Sequence, residues 1–173
     1  MNPHEVHRSR GPSRLRFRIV TVSSSRFGMK ERGEKFADEG GDVAEAEVQK
    51  AGYVVSGRAL ISDERVMIRR EARQFLSGKD DVLLFTGGTG VSKRDLTIET
   101  VRPLLEKEIP GFGELFRRIS FDSVGAASMI SRAMAGVAKG KMLVCLPGSP
   151  RAVETALEAT LSEFPHVLYV ARS

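Results

Sequence analysis

The sequence predicts an α/β domain, with a mostly parallel sheet covered by helices on both faces. Three observations predict it. Short apolar, β-branched runs alternate along the chain with segments of helical periodicity. One of those runs, DVLLF, is apolar almost throughout and bounded by turn residues, the pattern of a strand buried on both faces. The size, 173 residues with 41% hydrophobic and 28% charged content, suits a single domain. A domain of that size hides about 70% of its unfolded surface.

The first fourteen residues, MNPHEVHRSRGPSR, are basic and polar, and read as a flexible arm. They lack the apolar core of a secretory signal. The domain proper is then 15–173. Phe17–Val22, FRIVTV, is the first strand, closed by Ser23, Ser24 and Ser25. Residues 26–41 are polar and punctuated by glycine, so they read mostly as loop with one helical turn. Asp42 caps a helix to about Ala51, and Gly52 stops it. Tyr53–Ile61 is the second strand. Either Ser62 or Asp63 caps a helix through Leu76, with Ile68, Ala72, Phe75 and Leu76 on one face. Gly78 ends that helix, and Asp81–Phe85 is the third strand.

Thr97 opens another helical pattern, which Pro103 should bend or end. Leu104–Glu108 continues it at an angle. IPGF (109–112) reads as a turn, followed by helical segments over Glu114–Ile119 and Ser123–Ala135. Met142–Leu146 is the fourth strand. The last helix runs from about Arg151 to Ser162, with Pro150 in its first turn.

Composition removes several functions. One cysteine, Cys145, allows no disulfide within the chain, and its setting MLVCL is that of a small buried hydrophobe. His4, His7 and His166 have neither zinc spacing nor the placement of a Ser–His–Asp triad. No apolar run approaches the ~20 residues that span a bilayer, so the expectation is a cytoplasmic protein with no membrane partner. The net charge of +5 favours an anionic partner. Scarce aromatics and the lack of an RNA-binding motif turn that preference from nucleic acid toward a nucleotide or phosphorylated metabolite.

In parallel sheets ligands gather at the carboxyl ends of the strands. The loops SSSRFG, SDE, TGGTGVSKRD and PGSP are therefore expected to meet in one crevice. Gly87, Gly88 and Gly90 let backbone approach a ligand, and successive N–H groups there form an anion nest, with Lys93 and Arg94 offsetting phosphate charge. The loop lacks the Walker A pattern and the third glycine of a dinucleotide fingerprint. A plain structural turn is the other reading. In PGSP, Pro147, Gly148 and Ser149 precede a helix whose first N–H groups can face an anion, or they form an ordinary turn. Asp63 and Asp95 each follow a strand. Each is either a helix cap or a ligand for Mg²⁺ among phosphates.

Four ordered stretches carry a more specific likeness: LLFTGGTGVSKRDLTIETV, EIPGFGELFRRIS, GAASMISRAMAGV and LPGSPRAVETAL. From about Arg18 to Leu161 the chain resembles the MogA/MoaB family of molybdenum cofactor biosynthesis. The resemblance implies a three-layer α/β/α sandwich that assembles as a homo-trimer or hexamer. It implies adenylylation of molybdopterin with MgATP, releasing pyrophosphate, and hand-over of the product to a downstream metal insertase. It places the catalytic and Mg²⁺-associated aspartates at Asp63 and Asp95. The TGGTG segment falls on Thr86, Gly87, Gly88, Thr89 and Gly90, and the Ser-Arg motif on Ser131 and Arg132. Ser24 stands where MogA-type sequences carry aspartate, which is similar to the MoaB branch. The alternative reading is a catalytically weak molybdopterin-binding homologue or scaffold of the same fold.

Overall fold

The computed structural model describes residues 11–173. His4, His7 and most of the expected arm lie outside the described residues. The chain forms β1 (Arg16–Val22), α1 (Ser24–Glu31), α2 (Glu39–Lys50), β2 (Val54–Ile61), α3 (Arg65–Ser77) and β3 (Val82–Thr86). These are followed by α4 (Thr97–Val101), β4 (Lys107–Glu108), α5 (Pro110–Val124), β5 (Met134–Ala138), β6 (Lys141–Leu146), α6 (Pro150–Thr160) and α7 (Phe164–Ala171). Short 3₁₀ turns cover Arg102–Leu104, Gly125–Ile130 and Leu161–Glu163.

One six-stranded sheet runs in the order β2-β1-β3-β6-β5-β4. The first four of these strands are mutually parallel, and β5 runs antiparallel to both of its neighbours, β6 and β4. Alternation along each strand splits the core between two faces. Val82 and Leu84 of β3 join Phe17, Ile19, Val48, Phe116, Leu157 and Leu168 beneath α2, α5, α6 and α7. Leu83 and Phe85 join Val20, Val22, Ile68, Phe75 and Val101 beneath α3 and α4. The result is the expected three-layer α/β/α arrangement. On the α3 face of the sheet Arg18 pairs with the buried Glu71 of α3 at 2.7 Å. Among the described residues no helix is long and apolar enough to cross a membrane.

Several elements differ from the sequence reading. Residues 24–31 are helical because Ser23 caps them, its Oγ accepting from the Arg26 N–H. The second helix starts three residues before Asp42, capped by Asp38, whose carboxylate accepts from the Gly41 N–H. Neither Ser62 nor Asp63 caps α3. Its N-cap position is Glu64, which makes no side-chain cap bond. Likewise Leu96, not Asp95, holds the N-cap position of α4. IPGF is a helix start, with Pro110 at a first-turn position where its missing N–H costs nothing. Leu104–Glu108 leaves the helix and ends in β4. Of the expected helix over Ser123–Ala135, residues 123–124 close α5, and the rest is a 3₁₀ turn leading to the start of β5. The sheet thus has six strands where four were expected. β5 returns into β6 through Lys139 and Gly140, both with positive φ (52° and 67°), the geometry of a tight two-residue hairpin turn. A seventh helix, α7, follows the expected last one, and its Phe164 stacks near Phe17.

Candidate phosphate-binding site

The chain leaves β1 for the edge strand β2, then returns to the other side of β1 as β3. That reversal opens a crevice at the carboxyl ends of β1 and β3, where α/β sheets hold ligands. Polar side chains tie the strand ends together there. Thr86 Oγ1 donates to Thr21 Oγ1 (3.3 Å), Thr21 Oγ1 donates to Asp38 (2.8 Å), and Arg58 Nη2 donates to the same Asp38 oxygen (2.7 Å). Arg58 also bonds Asp42 and Glu45. Burial works against its charge, but the bonds to Asp42, Asp38 and Glu45 outweigh that and raise its pKa further. Thr86 is therefore fully buried beneath the loop it introduces.

The loop after β3 has an unusual hydrogen-bond pattern. Gly87 and Gly88 adopt φ of +99° and +65°. A side chain at Gly87 would strike Val22 O, so this position requires glycine on both counts. The Gly87 carbonyl accepts from Thr97 Oγ1 (2.9 Å) and the Gly88 carbonyl from the Thr97 N–H (3.0 Å). The Thr89 carbonyl accepts from Arg132 Nε (3.0 Å). A trans peptide points its C=O and N–H in opposite directions. Three carbonyls tied back in this way turn out the N–H groups of Gly88, Thr89 and Gly90. None of these three N–H groups donates to an acceptor among the described residues. Successive free N–H groups on a glycine-rich turn make an anion-binding concavity.

This loop forms one wall of a cavity of about 370 Å³. Gly88, Thr89, Gly90 and Asp95 line it, facing Ser131 and Arg132 on one side and Pro147, Gly148 and Ser149 on another. The two glycine loops are in near contact, since a Cβ at Gly148 would lie 3.2 Å from the Gly87 Cα. Ser149 caps α6 by accepting from the Ala152 N–H (3.3 Å), and Pro150 begins the helix. The positive end of that eleven-residue helix faces the cavity.

Asp63 stands at the next strand end. Its Oδ2 accepts from both the N–H and the Oγ of Ser24 (2.8 Å each), while Ser24 Oγ also meets Ser62 Oγ at 2.9 Å. Its Oδ1 accepts no hydrogen bond among the described residues, and a Cβ at Gly88 would lie 3.0 Å from it. Asp95 is arranged alike. Its Oδ2 accepts from the Ser92 N–H (2.8 Å), its Oδ1 takes no donor among the described residues, and it packs against Gly90. Each carboxylate thus offers one unengaged oxygen beside the nest. Oxygen donors of this kind fit Mg²⁺, which keeps several waters and bridges substrate phosphates.

Asp63, Thr86, Gly87 and the remaining candidates lie apart from the cavity wall. Ser23 and Ser25 face each other at 3.2 Å in the first turn of α1, outside the cavity lining, as is Ser24. Lys93 and Arg94 are exposed in the turn between Gly90 and Asp95 and do not line the cavity. The sequence reading missed the α5 contribution, in which Phe116, Ser120 and Ser123 complete the wall. Their i, i+4, i+7 spacing on one helix was the available signal. It also missed Thr97 and Glu99. Glu99 pairs with Arg132 Nη1 at 2.5 Å, and that guanidinium holds its carboxyl below the usual carboxylate range.

Comparison with known proteins identifies the family. A family described as "probable molybdopterin binding domain" matches residues 18–166. The chain is 37% identical over 155 residues to a "probable molybdopterin adenylyltransferase" of Methanocaldococcus jannaschii, covering 89% of this chain and 92% of that one. It is 39% identical over 153 residues to "molybdenum cofactor biosynthesis protein B" of Staphylococcus aureus, covering 87% and 88%. Among solved structures, the "tungsten cofactor synthesizing protein MoaB" of Pyrococcus furiosus superimposes with a TM-score of 0.82 at 34% identity, over 94% of this chain and 99% of that one. With the match spanning both glycine loops and the cavity between them, the chain belongs to the molybdopterin-binding family of molybdenum cofactor biosynthesis.

Proposed function

We propose that the chain is a molybdopterin adenylyltransferase that uses MgATP and releases pyrophosphate. A role in molybdenum cofactor biosynthesis and the nucleotidyltransferase class rest on its similarity to the relatives bearing those names. The observation that carries the finer reading is the set of three outward N–H groups at Gly88, Thr89 and Gly90, flanked by two half-engaged carboxylates.

In this reading the terminal phosphate of molybdopterin attacks the α-phosphorus of ATP. One P–O bond forms, the bond from Pα to the bridging oxygen breaks, and pyrophosphate leaves with that oxygen. A phosphate monoester has a second pKa of about 6, so the attacking group is already dianionic near neutrality. No histidine base is needed, and none is near the cavity among the described residues. The chain's contribution is alignment and charge stabilisation. The nest N–H groups and the α6 N-terminus receive phosphate oxygens, and the walls from α5 and Ser131–Arg132 hold the pterin. Asp63 and Asp95 would hold Mg²⁺, which when bound offsets phosphate charge. Ser24 fixes Asp63 by two donors, so the serine at this position orients the acid. Lys93 and Arg94 are placed to meet the outer phosphates from their exposed turn.

Assembly into trimers or hexamers and delivery to a metal insertase belong to the same reading. They are supported by the exposed Phe121 and Met129 near the end of α5, apolar side chains outside the cavity lining that association would cover.

The test is pyrophosphate release from ATP and molybdopterin by Asp63→Ala and Asp95→Ala, with thermal melts alongside. Each variant is expected to stay folded and lose at least about 10²-fold in turnover. Unchanged turnover in a folded variant rejects the role. A native chain that binds molybdopterin yet releases no pyrophosphate is the weak homologue instead.

A further inference from the structure

Building on the adenylyltransferase reading, we infer that Glu99 is a positioning residue. Acting through Arg132, it fixes the Thr89–Gly90 peptide and hence the direction of the Gly90 N–H offered to phosphate. Glu99 does not line the cavity, whereas Arg132 does. The link has two bonds, Glu99 Oε1 to Arg132 Nη1 (2.5 Å) and Arg132 Nε to the Thr89 carbonyl (3.0 Å). With its carbonyl held by a guanidinium, the Thr89–Gly90 peptide cannot rotate without breaking a charge-assisted contact.

The other two nest peptides are held by Thr97, through its hydroxyl and its N–H. Thr97 and Glu99 sit in one turn of α4, so a single short element sets all three peptide planes. Arg132 comes from the segment entering β5, far along the chain. Its long side chain would be free to choose other acceptors without Glu99. A second observation points the same way. Glu99 Oε2 is the one buried side-chain polar atom without a hydrogen-bond partner among the described residues. Leaving a buried carboxylate oxygen unmatched is unfavourable. The charge that Glu99 carries is met at Oε1 by the Arg132 guanidinium.

The carboxamide of Glu99→Gln keeps the shape and one neutral acceptor but removes the charge. The prediction is a fall in kcat of at least about 10-fold, on the scale of losing part of one preorganised donor. KM for ATP should stay within about 3-fold, because the effect is on the reacting geometry more than on ground-state binding. The double variant Glu99→Gln/Arg132→Lys should be no slower than Arg132→Lys alone, since both break one link. The second readout is the Gly90 amide resonance of the nitrogen-15-labelled chain. It should move in Glu99→Gln, while that of Gly88, held by Thr97, stays in place. An unmoved Gly90 resonance overturns the inference, as does unchanged kcat in the folded variant or a loss confined to KM. If the native chain releases no pyrophosphate, the adenylyltransferase reading fails, and the Gly90 resonance still decides whether Glu99 positions the peptide.

Discussion

Replacing Gly90 by alanine tests the placement of Asp95 without touching the acid. Gly90 does not use positive φ, so its backbone accepts a side chain. The added methyl would stand 2.8 Å from Asp95 Oδ2, 3.2 Å from its Cγ and 3.4 Å from its Oδ1. Comfortable contact between such atoms is about 3.5 Å or more, so the carboxylate must retreat by roughly 0.5–1 Å. The retreat stretches or breaks the 2.8 Å bond from the Ser92 N–H. A hydrogen bond to a carboxylate contributes about 1.5–3 kcal/mol. For a chain of this size that corresponds to a fall in Tm of about 3–12 °C. A displacement near 1 Å can cost about 10²-fold in rate, equivalent to about 2.7 kcal/mol of barrier. The assay is pyrophosphate release under saturating ATP and molybdopterin, with a thermal melt of the same sample. Because the methyl acts by moving Asp95, Gly90→Ala/Asp95→Ala should be no slower than Asp95→Ala alone. Turnover within about 3-fold of the native chain in a folded Gly90→Ala variant would refute the reasoning. So would full additivity in the double variant.

Other expectations follow from the same contacts. Arg58→Met leaves Asp38, whose side chain is 14% exposed, without its cationic partner and should cost about 2–3 kcal/mol in urea unfolding. The depressed pKa of Glu99 means its carboxylate contributes stability above the unfolded carboxylate range. That contribution is lost as pH falls through the folded value. The stability gap between the native chain and Glu99→Gln should therefore be present at neutral pH and close in acid, as read from melts across pH. A gap that widens in acid would contradict the ion pair. Cys145 is fully buried, and that burial pushes its thiol pKa up. A thiol reagent should leave the folded chain unmodified and react once denaturant unfolds it, and rapid labelling of the native chain would contradict this.

How much of this was written locally is clearest in particular elements. The run around Val82–Phe85 announces β3 because a strand with helices on both faces must be apolar at every position. FRIVTV, the TGGTG loop and PGSP are equally local, since β-branching, positive φ and a proline at the helix start are properties of single residues and their neighbours. Those signals sufficed for the α/β class and for two of the four loops expected in one crevice, TGGTG and PGSP, which line the cavity. β5 was hidden because Met134–Ala138 has small residues and little β-branching. It is a strand because β6 lies beside it and a positive-φ turn joins them. Asp63 and Asp95 each had two local uses, cap or ligand. The fold gives the N-cap positions to Glu64 and Leu96 and ties the two acids instead to Ser24, thirty-nine residues from Asp63, and to Ser92. Glu99 and Arg132 gave no sign of acting together, being thirty-three residues apart. The sequence alone therefore determined which segments are buried and where the backbone can turn, because those depend on side-chain chemistry and φ within a few residues. Tertiary structure decided which groups become partners and which N–H groups and carboxylate oxygens are left over. Hydrogen-bond competition is settled by whatever atom the fold brings within about 3 Å.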